Sequence, residues 1–248
     1  FAIVTIISTG FLLPSVQSNS IAVAVESSFG LSPYLIGVLL SVLLAFIIIG
    51  GVNRISKIAE FVVPIMAGLY IFMALIIIGM NFQQIPAVFG LIFKSALNLE
   101  ASFGALVGTA IAWGVKRGIY SNEAGQGTAP HAASAAEVSH PIKQGLVQGF
   151  SVYVDTLFVC TATALMILFT GQYNVVNPEG GFIVHNLPDI EMGPAYTQYA
   201  VSHHFPIMGG PFVAIALTFF AFTTIMAYYY IAETNISFIQ SRKTAKIL

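Results

Sequence analysis

The sequence predicts an all-α protein that crosses a membrane several times. Of its 248 residues, 57% are hydrophobic and only 8% are charged, and its mean hydropathy is +0.87. A water-soluble domain carries roughly 25% charged residues. The apolar residues form uninterrupted runs, whereas membrane-spanning β-strands alternate with a period of two. These features exclude an ordinary soluble enzyme. The net charge of −1 excludes the basic surface that a nucleic-acid-binding protein needs.

The first apolar run is not expected to be a signal peptide. The chain begins at Phe1, and no positively charged segment precedes the run. We expect residues 1–248 to form a single transmembrane domain that is part of a longer protein. The only cysteine, Cys160, lies in an apolar run and cannot form an internal disulfide.

Six membrane crossings are predicted. A helix needs about 20 apolar residues to cross the hydrocarbon core of a bilayer. Five runs reach that length, and a sixth region, 101–137, is less regular. The five runs cover residues 3–25, 33–52, 61–80, 144–170 and 208–232.

The distribution of lysine and arginine predicts the orientation of these crossings. Positive residues concentrate on the cytoplasmic side of membrane proteins. The connections 26–32 and 171–207 contain none, so we expect both to lie outside. The first crossing then runs outward and the sixth inward, with Lys94 as the one exception. The residues expected on the cytoplasmic side are Arg54, Lys57, Lys143, Arg242, Lys243 and Lys246.

The fourth crossing is predicted to be interrupted. Its first apolar piece, residues 103–115, would span only ~20 Å of a ~30 Å core. We expect the helix to open around 116–123 and an Ala-rich second piece to continue to about Ala136. Paired half-helices of this kind are typical of transporter binding sites, where unwound carbonyls bind cations and free N–H groups bind carboxylates. The alternative is a cytosolic loop over residues 118–143.

Local residue types support the interruption. Ser121 and Asn122 are suited to cap the second half-helix. Glycines at 118, 125 and 127 would permit close approach of the backbone.

An acidic residue lies near the middle of the fifth span. Asp155 should face the helix bundle or a wet cavity, because an ionised carboxylate is costly in hydrocarbon. It could bind a cation, accept a proton, or pair with Lys116 or Arg117.

Further polar groups lie within the first and sixth spans. The adjacent Thr223 and Thr224 could bond back to the preceding helical turn, or join backbone carbonyls in a site for a hard cation. Gln17 and Asn19 could hold helices together or contact a substrate. Neither a nucleophile–base set nor metal-ligand spacing among the histidines is found, so the sequence predicts no enzyme.

Several ordered motifs identify a resemblance. They are GIYSNEAGQGTAP at 118–130, SHPIKQG at 139–145, Asp155-Thr156, Cys160-Thr161, Phe222-Thr223-Thr224 and Glu233-Thr234-Asn235. Together they resemble the sodium:alanine symporter family, also described as alanine or glycine:cation symporters. The resemblance implies the leucine-transporter-like fold of five plus five inverted helices, of which this chain would hold helices three to eight.

The resemblance also implies function and roles. The expected activity is sodium-coupled symport of alanine or glycine across the cell membrane, with sodium as coupling ion and no other cofactor. The alternatives are a proton-coupled or glutamine-carrying member, or an uncoupled channel. Sodium is expected at the Phe220 carbonyl and the hydroxyls of Thr223 and Thr224. The expected lining of the substrate pocket is Gln17, Tyr120, Ser121, Thr224 and Tyr228. Relatives often carry Trp where Tyr228 stands, and a Tyr-Gly pair in place of Ile231-Ala232.

Overall fold

Helices account for nearly all of the regular structure. The computed structural model describes residues 1–97, 113–177 and 180–245, and the side chains of all of these except 96–97 and 241–245. Most of the predicted half-helix at 103–115 therefore lies outside the described residues. In chain order the helices are α1 (Ala2–Ile7), α2 (Leu13–Phe29), α3 (Pro33–Ile48), α4 (Gly51–Met80), α5 (Ile85–Leu97), α6 (residues 113–121), α7 (Glu123–Gln126), α8 (Ala129–Ala133), α9 (Pro141–Tyr153), α10 (Thr161–Thr170), α11 (Pro194–His204) and α12 (Gly209–Ala245).

Two π-helical segments join consecutive helices without a break. Ser8–Leu12 connects α1 to α2, and Val154–Cys160 connects α9 to α10. A short 3-10 turn, Phe82–Gln84, precedes α5. Strands β1 (Asn174–Val176) and β2 (Phe182–His185) form an antiparallel hairpin.

Three described helical stretches are long and apolar enough to cross a membrane. They are Gly51–Met80, Pro141–Thr170 and Gly209–Gln240. The first of these begins ten residues before the predicted run at 61–80. The shorter α3 is also apolar. The chain is thus a mostly helical membrane protein, as the composition predicted, and the count of six crossings stays a prediction.

Glycine and proline set several helix ends. Gly30 ends α2 with φ of 67°, and Gly171 ends α10 with φ of 66°. This left-handed conformation is open to glycine because it has no Cβ. Pro33 occupies the first turn of α3, where its missing N–H is not needed.

The chain folds as two units. The first consists of Phe1–Tyr70 and Gln172–Leu248, and the second of Ile71–Gly171. The core of the first unit lies between α2 and α12. Its buried members are Ile21, Ala22, Ile36, Ile47, Ile55, Ala221, Phe222, Ile225 and Met226.

Helices α2 and α12 run antiparallel. A Cβ added at Gly10, in the segment before α2, would lie 3.7 Å from Ala232 Cβ, whereas one at Gly210 would lie 3.2 Å from Ser28 Oγ. Early residues of the first helical stretch therefore meet late residues of α12. Gln17 follows Gly10 by seven residues, which places it level with Ile225, seven residues before Ala232.

Helix α11 fixes one end of this helix pair. Gln198 Nε2 donates to the Ala24 carbonyl at 2.9 Å and to Ser28 Oγ at 2.8 Å. A Cβ at Gly209 would overlap the backbone of Ser202, so α12 begins in close contact with α11. Within the predicted outer connection 171–207, the described residues form strands β1 and β2 and helix α11.

Candidate ion and substrate site

Three oxygen atoms converge on one turn of α12. Thr223 Oγ1 donates to the Phe220 carbonyl at 2.9 Å, and Thr224 Oγ1 donates to the same carbonyl at 3.0 Å. We call these three oxygens the Phe220 cluster. The two hydroxyls therefore bond to the preceding helical turn, as inert threonines do. The same arrangement also places three oxygens together, as an ion site requires.

The Phe220 carbonyl accepts from both threonine hydroxyls. In a continuous α-helix it also accepts the Thr224 N–H. Three donors then share one oxygen that has two lone pairs. A hydroxyl that rotates away from the carbonyl presents its own lone pairs. Carbonyl and hydroxyl oxygens are the ligands that hard cations prefer.

The other assigned residues of the first unit lie along the same helix pair. Tyr228 is buried, one turn beyond Thr224 on α12. Gln17 is half-buried on α2, at the level of Ile225, and no hydrogen bond joins its side chain to another described group. The packing of α2 on α12 thus brings Gln17 to the level of the Phe220 cluster.

In the second unit the helix opens later than predicted. Residues 116–121 remain helical, and the interruption falls at Asn122, with φ of −154° and ψ of 179°. Lys116 Nζ lies 5.1 Å and Arg117 Cζ 5.5 Å from the centre of the Trp113 ring. These contacts, three and four residues apart, favour continuation of the helix.

Asn122 caps the short helix that follows. Its Oδ1 accepts the Ala124 N–H at 3.2 Å, so the predicted cap is confirmed for Asn122. Ser121 instead closes α6.

Of the three glycines predicted to permit close approach of the backbone, only Gly125 does so. A Cβ at Gly125 would overlap the backbone of Ile119. A Cβ at Gly118 or Gly127 would meet nothing within 4 Å, so the expectation is wrong at these two positions. Gly127 instead ends α7 with φ of 72°, a left-handed conformation that favours glycine.

Asp155 forms hydrogen bonds with residues at the helix interruption rather than ion pairs with Lys116 or Arg117. Its Oδ2 accepts from Ser121 Oγ at 3.4 Å and from Asn122 Nδ2 at 3.5 Å. Within the described part of the chain no ion pair joins it to Lys116 or Arg117, so this one of the three alternatives for Asp155 is not found.

Cys160, at the end of the π-helical segment Val154–Cys160, also lies beside the helix interruption. Its Sγ lies 3.9 Å from Ser121 Oγ. Segments of this type recur at functional sites, and hydropathy gave no signal for it. Tyr120, assigned to the substrate pocket, is exposed within its unit, and Ser121 is half-buried.

The histidine pair at the end of α11 lies outside the long apolar helices. The rings of His203 and His204 meet edge to face, with centroids 4.9 Å apart. Partial burial, together with the charge of His203, lowers the pKa of His204, so the neutral ring is favoured there. Among the described residues no group of three His, Cys, Asp or Glu side chains could hold a metal ion.

Comparison with known proteins decides the family. The family model described as the sodium:alanine symporter family matches residues 1–248. The chain belongs to the sodium:alanine symporter family. The predicted resemblance is confirmed, and the family is one of transporters rather than enzymes.

Three relatives in the sodium:alanine symporter family are similar to the chain and carry functional names. A Bacillus subtilis (strain 168) protein named "putative sodium/proton-dependent alanine carrier protein" is 61% identical over 99% of this chain and 51% of its own length. A Bacillus sp. (strain PS3) sodium/proton-dependent alanine carrier is 56% identical over 94% of this chain and 53% of its own. A B. subtilis protein named a probable sodium/glutamine symporter is 41% identical over 98% and 48%. The chain spans about half the length of these relatives.

Proposed function

We propose that the chain is part of a secondary active transporter that carries alanine or glycine into the cell together with sodium. Three things support the proposal: membership of the family, the relatives named as alanine carriers, and the Phe220 cluster on α12. The cluster carries most weight, because it supplies one carbonyl and two hydroxyl oxygens within a long apolar helix. Sodium is the coupling ion, and no other cofactor takes part.

The proposed architecture follows from the family resemblance. Residues 1–248 form a single transmembrane domain with six crossings in the cell membrane, corresponding to helices three to eight of a leucine-transporter-like fold. Sodium binds at Phe220, Thr223 and Thr224. The amino acid binds among the residues that the resemblance assigns to it: Gln17, Tyr120, Ser121, Thr224 and Tyr228.

Coupling needs no covalent chemistry. Sodium at the Phe220 cluster stabilises the conformation that binds the amino acid, and bound amino acid strengthens sodium binding by the same factor. The free energy of such coupling is typically 1–3 kcal/mol, or about 5- to 150-fold in affinity. In this proposal the substrate carboxylate binds near Asn122, where α6 ends; the Ala-rich stretch that follows forms the two short helices α7 and α8 rather than the single half-helix predicted to continue to about Ala136.

We favour alanine over glutamine as the substrate. The two alanine carriers are 61% and 56% identical to the chain, whereas the glutamine symporter is 41% identical. We favour sodium over protons as the coupling ion. The carbonyl and hydroxyl oxygens of the Phe220 cluster can bind sodium, but they do not take up or release a proton near neutral pH. Asp155 is the residue through which a proton-coupled alternative would operate.

Replacing sodium tests this proposal. The full-length protein in proteoliposomes should accumulate labelled alanine when sodium is present outside at fixed pH. Uptake should fall at least about tenfold when choline replaces sodium, because choline is too large for the oxygen cluster. An imposed inward proton gradient in choline provides the comparison. Concentrative uptake that persists there would favour protons, and uptake that never exceeds equilibration in sodium would favour a channel.

A further inference from the structure

An aromatic residue of α4 contacts α12 beside the Phe220 cluster. Tyr70 is 6% exposed, and its ring is stacked on that of Phe212, with centroids 6.5 Å apart and an interplanar angle of 7°. The same ring meets Phe220 edge to face, at 5.6 Å and 83°. Both geometries are among those that aromatic pairs favour.

The two contacts fix α12 at two points along its length. Phe212 and Phe220 are eight residues apart, which corresponds to about 12 Å of helix. A single buried ring that contacts both resists sliding and rotation of α12 against α4. Phe220 is the residue whose carbonyl receives the Thr223 and Thr224 hydroxyls.

We propose that Tyr70 is a positioning residue for the sodium site. Its ring holds the Phe220 side chain, and thereby the backbone of that turn, in the geometry that a bound ion requires. Without the ring, Phe220 would gain freedom that sodium binding must then remove, so the affinity for sodium would fall. This inference rests on the proposed function, and neither the family comparison nor the sequence motifs assign a role to α4.

A purely structural role for Tyr70 makes a different prediction. Met66 lies one turn earlier on the same face of α4, is also 6% exposed, and has no aromatic ring. If loss of packing were the only effect, truncation at Met66 and at Tyr70 would disturb transport in the same way. If Tyr70 acts through Phe220, only its own variant would change sodium activation selectively.

The test measures sodium activation and the KM for alanine separately, using the full-length protein in proteoliposomes. Tyr70→Leu should raise the sodium concentration for half-maximal uptake about two- to tenfold, the range that one or two aromatic contacts supply. The KM for alanine at saturating sodium should stay within about twofold. Tyr70→Phe, which keeps the ring, and Met66→Ala should both retain wild-type sodium activation.

Two outcomes would overturn the inference. One is unchanged sodium activation in Tyr70→Leu. The other is a rise in the half-activating sodium concentration of Met66→Ala or Tyr70→Phe that equals the rise in Tyr70→Leu. If Tyr70→Leu does not fold, Phe220→Leu takes its place, because it keeps the carbonyl but removes the ring. The same rise is then expected, and its absence would contradict the proposal.

The same measurements separate this inference from the proposed function. A wild-type protein that is not activated by sodium would refute the proposed function itself. Wild-type activation that shifts in Thr223→Ala but not in Tyr70→Leu would refute only the role of Tyr70.

Discussion

Removal of the two hydroxyls of the Phe220 cluster should have the largest effect on sodium activation. Thr223→Ala and Thr224→Ala are each expected to raise the half-activating sodium concentration about 10- to 100-fold, and the double variant should lose activation over the accessible range. A contact between a neutral oxygen and a charged group is worth about 1.5–3 kcal/mol, which corresponds to that range. Uptake at graded sodium concentrations measures the effect.

Helix α12 offers a matched control for these variants. Thr218 Oγ1 donates to the Ala214 carbonyl at 2.7 Å, so it has the same kind of back-bond without a second threonine at the same acceptor. Thr218→Ala should leave sodium activation within about twofold of wild type. Thr223→Ser and Thr224→Ser should restore most of it, because serine keeps the hydroxyl. Normal activation in both alanine variants would rule out the Phe220 cluster as the sodium site.

The second large effect is expected at the interruption of the helix. Gly125→Ala should reduce alanine uptake at least about tenfold, because the added methyl group would overlap the backbone of Ile119 and push α7 away from α6. Asn122 could then no longer keep both its cap to Ala124 and its bond to Asp155. Initial uptake rates, normalised to protein in the membrane, measure the loss.

Gly118→Ala is the control for this substitution. Position 118 is helical and has open space around its Cβ, and alanine is favoured over glycine in a helix by about 1 kcal/mol. This variant should therefore transport normally and unfold at the same or a slightly higher temperature. Equal uptake by Gly125→Ala and Gly118→Ala would show that tight packing at the interruption is not needed.

The sequence predicted the class of fold because composition and run length decide it. Only a helix satisfies its backbone within one apolar segment, so long apolar runs with few charges predict membrane-spanning helices. The ends of helices were predicted less well. Helix α4 starts at Gly51, whereas the predicted apolar run began at residue 61. The first turns of α4 carry Arg54 and Lys57, so hydropathy gave no signal for them.

The candidate site was predicted in part, for a physical reason that differs between its two pieces. The Phe220 cluster follows from helix geometry alone, since residues three and four positions apart share a turn. The partners of Asp155 depend on tertiary packing across more than thirty residues of sequence, which periodicity cannot show. The contact of Tyr70 with Phe220 is of the same kind.

In the proposed function, sodium and the amino acid cross the membrane together. Simultaneous measurement of labelled sodium and labelled alanine fluxes into proteoliposomes containing the full-length protein tests it most directly. We expect each alanine molecule to enter with a fixed number of sodium ions, and each flux to vanish when the other solute is removed. Alanine accumulation without sodium entry would contradict the claim.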